Sequence, residues 1–423
     1  MVTVRSTVRS LDVYRNEQLV GTLFDETPLA FRYADAWMSV PDAEPIAPMM
    51  GLHQAEHVGD GVYAYFENLL PEGDLRRYLS ISLHATTVFG LLSAVGGDTA
   101  SGLSLLPHGE RPKPRSYQAS TWDAIAKSLR DPAQAPFIAQ NADGARISLA
   151  GAQDKMLLVI KPDGTPALPL GSAPSTHILK PDIVRLPSVW CSALNETFVM
   201  TLADAIGMGV AEVSYQPIVK ACLVTRYDRK FNDRGELIRL HQLDLCQLDG
   251  KPSIIKYEAD GGPSLARCRE LLQQNHVPAM DLKRLLEWVF FNLYTGNNDS
   301  HAKNLSVLQT SEHGVRLAPF YDLMSTSLYP GLAKKFAFAI GGEYIAGDIK
   351  TAHIENMATQ LGFKHKYVLS VAEKLAENLV SRIDSVVAEL SPVASPGTEQ
   401  TMLERLHKAI VSNTKKLNKR WSV

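Results

Sequence analysis

With 423 residues the chain exceeds one ordinary hydrophobic core, so two or three lobes are expected. Apolar content of 45% with 21% charged residues fits a soluble globular protein, and a formal charge of -2 argues against a general binder of phosphate backbones, though not against a local basic patch. Cys191, Cys222, Cys246 and Cys268 form no close pair, which points away from a CxxC metal site or a disulfide framework and toward a reducing cytoplasm.

The predicted elements run as follows. Leu11–Arg15 and Leu19–Leu23 flank the turn-like Asn16-Glu17-Gln18 and read as a β-hairpin. Tyr63–Leu79 reads as a helix around the Leu69-Leu70-Pro71 interruption, Thr86–Val95 as a second helix stopped by Gly96-Gly97, and Leu103–Leu106 as a strand. Pro107–Arg115, rich in proline and charge, marks a linker and a first boundary. Met156–Ile160, Thr176–Leu179 and Ile218–Val224 read as strands, with an amphipathic helix over Val189–Ile206.

Beyond this the pattern turns mainly helical. Helices are expected over Ser264–Gln274, from Leu282 through Leu293 up to Gly296, and over Lys366–Leu390 and Glu399–Leu417. A strand-rich half followed by a helix-rich half predicts an α+β architecture. No apolar run reaches the roughly 18 residues that span a bilayer. Met1–Ser10 lacks the apolar core of a signal peptide, so a cytoplasmic protein is expected.

The stretch that carries chemistry is Asn297-Asn298-Asp299-Ser300-His301-Ala302-Lys303-Asn304, between an apolar helix and a short apolar strand, with Asp322 downstream in Ala318-Pro319-Phe320-Tyr321-Asp322. Phosphoryl transfer needs a base near the acceptor hydroxyl, oxygen ligands for a metal, and positive charge on the phosphates. Asp299 suits the first role, Asn304 and Asp322 the second, and Lys303 can reach the transferring phosphate. The plain alternative is a turn after a helix and a loop acid; the paired spacing and the apolar frame weigh against it.

Upstream, Ser148–Lys155 is a small-residue turn entering a strand, of the kind that lets backbone N–H groups approach phosphates, although an ordinary hairpin turn reads equally well. Lys180 ends an apolar strand, as a phosphate lysine would or an edge-strand lysine would, and Glu196 on the next helix is a candidate partner. His53-Gln54-Ala55-Glu56-His57 matches an inverted zincin pattern, but Gly59-Asp60-Gly61 ends any helix too soon to hold both histidines on one face. The basic tail Lys415–Trp421 reads as a solvated helix end.

Taken in order, Phe66–Pro71, Ser148–Lys155, His177–Pro181, Asn195-Glu196-Thr197, Arg226–Arg229, Lys256–Pro263, Asp299–Asn304 and Phe320-Tyr321-Asp322 resemble the HipA family of bacterial toxin kinases over nearly the whole chain. The resemblance implies a serine/threonine protein kinase dependent on ATP and Mg2+. Its fold would be α+β and two-lobed: an extra N-terminal subdomain over 1–109, a strand-rich N lobe over 110–225 and a helical C lobe over 226–423. It implies Asp299 as catalytic base and Asn304 and Asp322 as metal ligands. Ala150, Gly151, Ala152, Gln153, Asp154, Lys155 and Lys180 would hold phosphates, Thr225, Arg226 and Tyr227 would lie beside adenine, and His301, Lys303 and Tyr321 would complete the nucleotide site. Ser148 would be autophosphorylated, switching the kinase off by placing charge in a loop meant to cradle phosphate.

The setting implied is a toxin–antitoxin pair with a helix-turn-helix, HipB-like antitoxin, DNA contacted mainly through that antitoxin, and a translation component such as an aminoacyl-tRNA synthetase as substrate. No membrane partner is implied. Two departures stand out: Ser300 where Gly or Asp often follows the catalytic Asp, and Leu323-Met324 after Asp322. A kinase of a small molecule or lipid, and a non-enzymatic corepressor bound with its antitoxin, are the competing readings.

Overall fold

A computed structural model describes residues 8–130, 153–310 and 314–421. The chain forms two compact units, Met1–Ile178 with Asp228–Ile254, and Leu179–Tyr227 with Ile255–Val423.

In the first unit the predicted hairpin is present as Ser10–Arg15 against Gln18–Phe24, antiparallel, with Asn16 taking the positive φ of 55° at the turn. It belongs to a five-stranded sheet ordered Glu56–Val58, Ala30–Tyr33, Gln18–Phe24, Ser10–Arg15, Leu103–Pro107. Gly21 is required there, because a Cβ would stand 2.3 Å from the Arg32 carbonyl on the neighbouring strand. The expected helix over Tyr63–Leu79 is two helices, Asp60–Glu67 and Gly73–Ser82, since Pro71 lacks the N–H that would continue the first. Val88–Val95 follows, capped by the Thr87 hydroxyl at 3.0 Å from the Gly90 N–H.

The Pro-rich stretch after Pro107 has no regular structure. A strand at Ser116–Ala119 and a helix at Trp122–Arg130 come next, neither of which the apolar periodicity announced. Ser116–Ala119 pairs with Pro166–Leu170, which pairs with Met156–Ile160. Two buried carboxylates stitch this unit across sequence. Glu67 accepts from the N–H and hydroxyl of Ser253, both at 2.8 Å, and from Arg76. Asp98 accepts from Arg229, Arg239 and Ser175 at 2.8–3.2 Å. The HxxEH stretch is a strand at Glu56–Val58, and His57 uses both ring nitrogens in hydrogen bonds to Gln54 and to the Gly51 carbonyl.

The strand His177–Pro181 carries the chain into the second unit. There the helix Ser192–Ala205 is buried along nearly its full length, and the hairpin Val213–Gln216 with Ala221–Thr225 follows. The second strand of that hairpin starts later than expected because Lys220 turns the chain at φ 49°. Leu265–Gln274, Ala279–Thr295, His365–Leu390 and Thr398–Trp421 match the predicted helices to within a few residues. Trp421 closes this core, with its ring 5.7 Å from those of Phe290 and Tyr294 and its indole N–H on the Ile349 carbonyl.

Candidate active site

The helix Ala279–Thr295 aims the chain into the Asp299 loop. Asp281 in its first turn is fully buried and accepts from Arg316 at 2.7 and 3.0 Å and from the Leu317 N–H at 3.0 Å. That ties the helix to the hairpin Ser306–Thr310 with Gly314–Leu317, which follows the loop. Burial works against the Asp281 charge, yet the Arg316 hydrogen bonds outweigh it and hold the carboxyl below its ordinary range. At the far end Gly296 stops the helix with φ 69° and donates its N–H to the Leu293 carbonyl, and the Asn413 amide donates to the Leu293 and Tyr294 carbonyls.

The loop is fixed by backbone and side-chain hydrogen bonds. Asn297 donates to the Asn292 side chain at 2.8 Å, and the Asn298 N–H donates to Thr326 Oγ1 at 2.8 Å. The Asp299 carbonyl accepts from the His301 N–H at 3.0 Å and from the Asn304 amide at 3.2 Å. The Asp299 side chain projects from this frame, exposed, with the Tyr257 hydroxyl donating to its Oδ1 at 2.6 Å. Asn304 sits in the short 3-10 turn Ala302–Asn304, just before the strand Ser306–Thr310. Its amide N–H group is spent on Asp299, which turns its oxygen the other way.

Lys180 is buried and reaches Glu196 Oε1 at 2.5 Å and Asp322 Oδ1 at 2.8 Å. Burial disfavours its charge, but the two carboxylates outweigh that and hold the ammonium above its ordinary pKa. Asp322 adopts φ 59°, a conformation uncommon for a residue with a side chain. Next to Glu196, Asn195 accepts the Ser325 N–H at 2.8 Å and donates to the Ser325 carbonyl, anchoring the segment just beyond Asp322. The helix Ser192–Ala205 thus orients both the lysine and the chain that carries its second acid.

Tyr321 donates to the Lys303 carbonyl at 2.7 Å and meets the Ser306 hydroxyl at the same distance. Its ring lies 6.0 Å from that of Tyr227, which follows Thr225 and the buried Arg226. His301 is buried, with its ring edge-on to Tyr257 at 5.2 Å and no hydrogen bond at Nδ1. Burial, then the nearby Lys256 and Lys303 charges, push its pKa well below the ordinary value against the pull of Asp322, so the ring is neutral at pH 7.

Lys180, Glu196, Thr225, Arg226, Tyr227, Asp299, His301, Lys303, Asn304, Tyr321 and Asp322 therefore belong to one unit. Gln153, Asp154 and Lys155 belong to the other and are half-buried there. Ser148, Ala150, Gly151 and Ala152 lie outside the described residues. Two residues had no role in the sequence reading. Asn195 and Tyr257 both stand in stretches that carried the family resemblance, but no spacing rule links them to partners 130 and 42 residues away.

A family model described as the HipA-like C-terminal domain matches residues 147–384, and one described as the HipA N-terminal domain matches 11–106. Y4mE of Sinorhizobium fredii, named as a kinase, is 34% identical over 91% of this chain and 92% of its own. The serine/threonine-protein kinase toxin HipA of Shewanella oneidensis is 28% identical over 91% of this chain and 90% of its own. The solved complex of Shewanella oneidensis HipA with HipB and operator DNA contains a chain that matches with a TM-score of 0.82 at 26% identity, covering 98% of this chain and 99% of that one. The α+β, two-lobed kinase-like architecture is shared with it. The chain belongs to the HipA family of serine/threonine protein kinases.

Proposed function

We propose that the protein transfers the γ-phosphoryl group of ATP to a serine or threonine hydroxyl and acts as the toxin of a toxin–antitoxin pair. The observation that carries this reading is the chain of contacts Glu196–Lys180–Asp322, continued from the adjacent Tyr321 to the Lys303 carbonyl inside the Asp299 loop. It gathers a buried cation, an acid and a projecting carboxylate, the parts phosphoryl transfer needs.

Asp299 takes the proton of the acceptor hydroxyl as its oxygen bonds to the γ-phosphorus and the bond to the leaving ADP breaks. Lys180 and Lys303 offset phosphate charge, and Thr225–Tyr227 lie beside the adenine. His301, neutral, adds a ring nitrogen able to hydrogen-bond the nucleotide. Asn304 and Asp322 would hold Mg2+. The donor set fits: the Asn304 amide oxygen and a carboxylate with a side chain 41% exposed are hard ligands. Among the described residues no group of three or more His, Cys, Asp or Glu is gathered for a metal, which suits an ion completed by phosphate oxygens and water. When bound, the ion would neutralise charge developing on the phosphates.

In this reading Ala150–Lys155 cradle phosphates, Ser148 is autophosphorylated, and the three-part division at 109 and 225 separates subdomain, N lobe and C lobe. The partner is a HipB-like helix-turn-helix antitoxin, with DNA met mainly through it. The substrate is a component of translation, such as an aminoacyl-tRNA synthetase, in the cytoplasm. The Shewanella relative, solved with HipB and operator DNA, supports the partner, and no helix of the described residues is long and apolar enough to cross a membrane. Asp299→Asn is expected to abolish phosphotransfer and growth inhibition, by about 100-fold or more in rate, with an unchanged circular dichroism spectrum. Undiminished activity in that variant would sink the proposal. Phosphoproteomics after induction, read against Asp299→Asn, identifies the target and reports on Ser148.

A further inference from the structure

The Asp299 side chain is exposed on an otherwise largely buried loop; the loop backbone is fixed, but the side chain has two rotatable bonds. The Tyr257 hydroxyl restrains it, 2.6 Å from Oδ1. This is the short distance of an O–H donor on a charged carboxylate. We propose that Tyr257 is a positioning residue for the base, holding the Asp299 carboxylate in the one rotamer that presents its edge to the acceptor hydroxyl. The inference rests on Asp299 being the base, as read above.

The segment around Tyr257 is built to keep that hydroxyl in place. The Tyr257 carbonyl accepts from the N–H groups of Asp260 and Gly262, at 3.1 and 2.9 Å, closing a tight turn. Gly262 is pressed so closely that a Cβ would stand 2.3 Å from the Ile255 carbonyl, so the turn admits no side chain there. Glu258 pins the turn from the other side: its N–H donates to the Ala337 carbonyl at 3.3 Å, and its Oε2 accepts the Ala339 N–H at 2.8 Å. Above the ring, the Lys256 ammonium lies 5.4 Å from the centroid, and His301 meets the ring edge-on at 5.2 Å. A cation over the π face draws electron density from the phenol, which makes its O–H a better donor to a carboxylate. The ring is thus clamped on two sides, the backbone on two more, and the hydroxyl is aimed at Asp299. A tyrosine that only filled space would need none of this aim.

The test compares Tyr257→Phe, Tyr257→Ala, Asp299→Asn and the wild type in transfer of label from ATP-Mg2+ to a heat-treated bacterial lysate, with a thermal melt of each protein. Losing one hydrogen bond to a charged group at the base is expected to lower kcat about tenfold in Tyr257→Phe, with KM for ATP and the melting temperature unchanged. Tyr257→Ala is expected to lose at least as much. A Tyr257→Phe enzyme with wild-type kcat overturns the inference even if Tyr257→Ala is impaired, because packing alone then accounts for the tyrosine. A raised kcat also overturns it, because the hydroxyl then obstructs the base. Turnover by Asp299→Asn, or a wild type that transfers no label, overturns the assignment of the base itself. A dead Asp299→Asn beside a fully active Tyr257→Phe overturns only the role of Tyr257.

Discussion

The Lys180 ammonium lies 2.8 Å from Asp322 Oδ1, 142 residues further along the chain, while its other contact, Glu196, is only 16 residues away. The nearer acid is 2% exposed and the more distant one is 41% exposed. The two bonds therefore differ in kind. The Glu196 pair is a buried structural clamp, and in the proposed function the half-exposed Asp322 is the partner that a metal would draw on.

Lys180→Met separates these roles. It removes the ammonium that pairs with the buried Glu196, and a cost of about 3–5 kcal/mol is expected. Adding Glu196→Gln removes the carboxylate charge and recovers most of that stability. Activity stays at least about 100-fold down in both variants, because neither restores positive charge at the phosphates. Urea denaturation with a turnover assay checks both halves. Equal stability of the single and double variants would show that the clamp does not hold the fold.

Gly296→Ala tests how the loop before Asp299 is set. The residue has φ 69°, and an added Cβ would lie 2.1 Å from Ser327 Oγ and 3.0 Å from Ser327 Cβ. Backbone strain and the displaced serine together are expected to cost about 2 kcal/mol. Turnover should drop further than that stability loss implies, since Ser327 donates its N–H to the Gly296 carbonyl at 2.9 Å and a shift there moves the start of the loop. Removing the hydroxyl with Ser327→Ala relieves only the closer contact, so the double variant recovers only part of the melting temperature.

Acid should weaken the first unit through His241. The ring is buried, donates from Nε2 to the Ile46 carbonyl at 2.8 Å, and has no partner at Nδ1. Burial, with the Arg15 charge adding to it, lowers its pKa from 6.5 to about 4. Between those values the unfolded chain binds a proton that the folded one refuses, so stability falls as pH drops from 6.5 toward 4. The loss approaches about 3 kcal/mol at the lower end. His241→Gln should flatten this limb in urea titrations across that window. An unchanged slope would place the acid sensitivity elsewhere, His177 being the next candidate, with a pKa also lowered to about 4 by burial.

The Asp299 stretch was legible because its frame is local. Apolar spacing over Leu282–Leu293 ends at a glycine, and a short apolar strand resumes at Ser306–Thr310. The same holds for the long terminal helices, whose break at Ser391–Gly397 appears where proline and glycine cluster. Short, weakly periodic pieces were not legible. Ser116–Ala119 is exposed along its length and is a strand only because Pro166–Leu170 lies beside it. The cut in Tyr63–Leu79 was marked by Pro71, but the contacts that seat Glu67 and Asn68, to Ser253 and Lys251 far downstream, were not.

What the sequence determined by itself was therefore the opening hairpin, the longer periodic helices and their stops, together with the residue types gathered at the Asp299 loop. Caps, periodicity and turn chemistry act over a few residues, and each is complete within its own window. The tertiary structure alone decided which acid holds Lys180 besides Glu196, that Asn195 anchors the chain past Asp322, and that a tyrosine 42 residues upstream reaches the Asp299 carboxylate. Those contacts join segments with no local signal in common. They form because the buried helices bring the segments to one place, where an unpaired charge would cost more than the ordering of the chain.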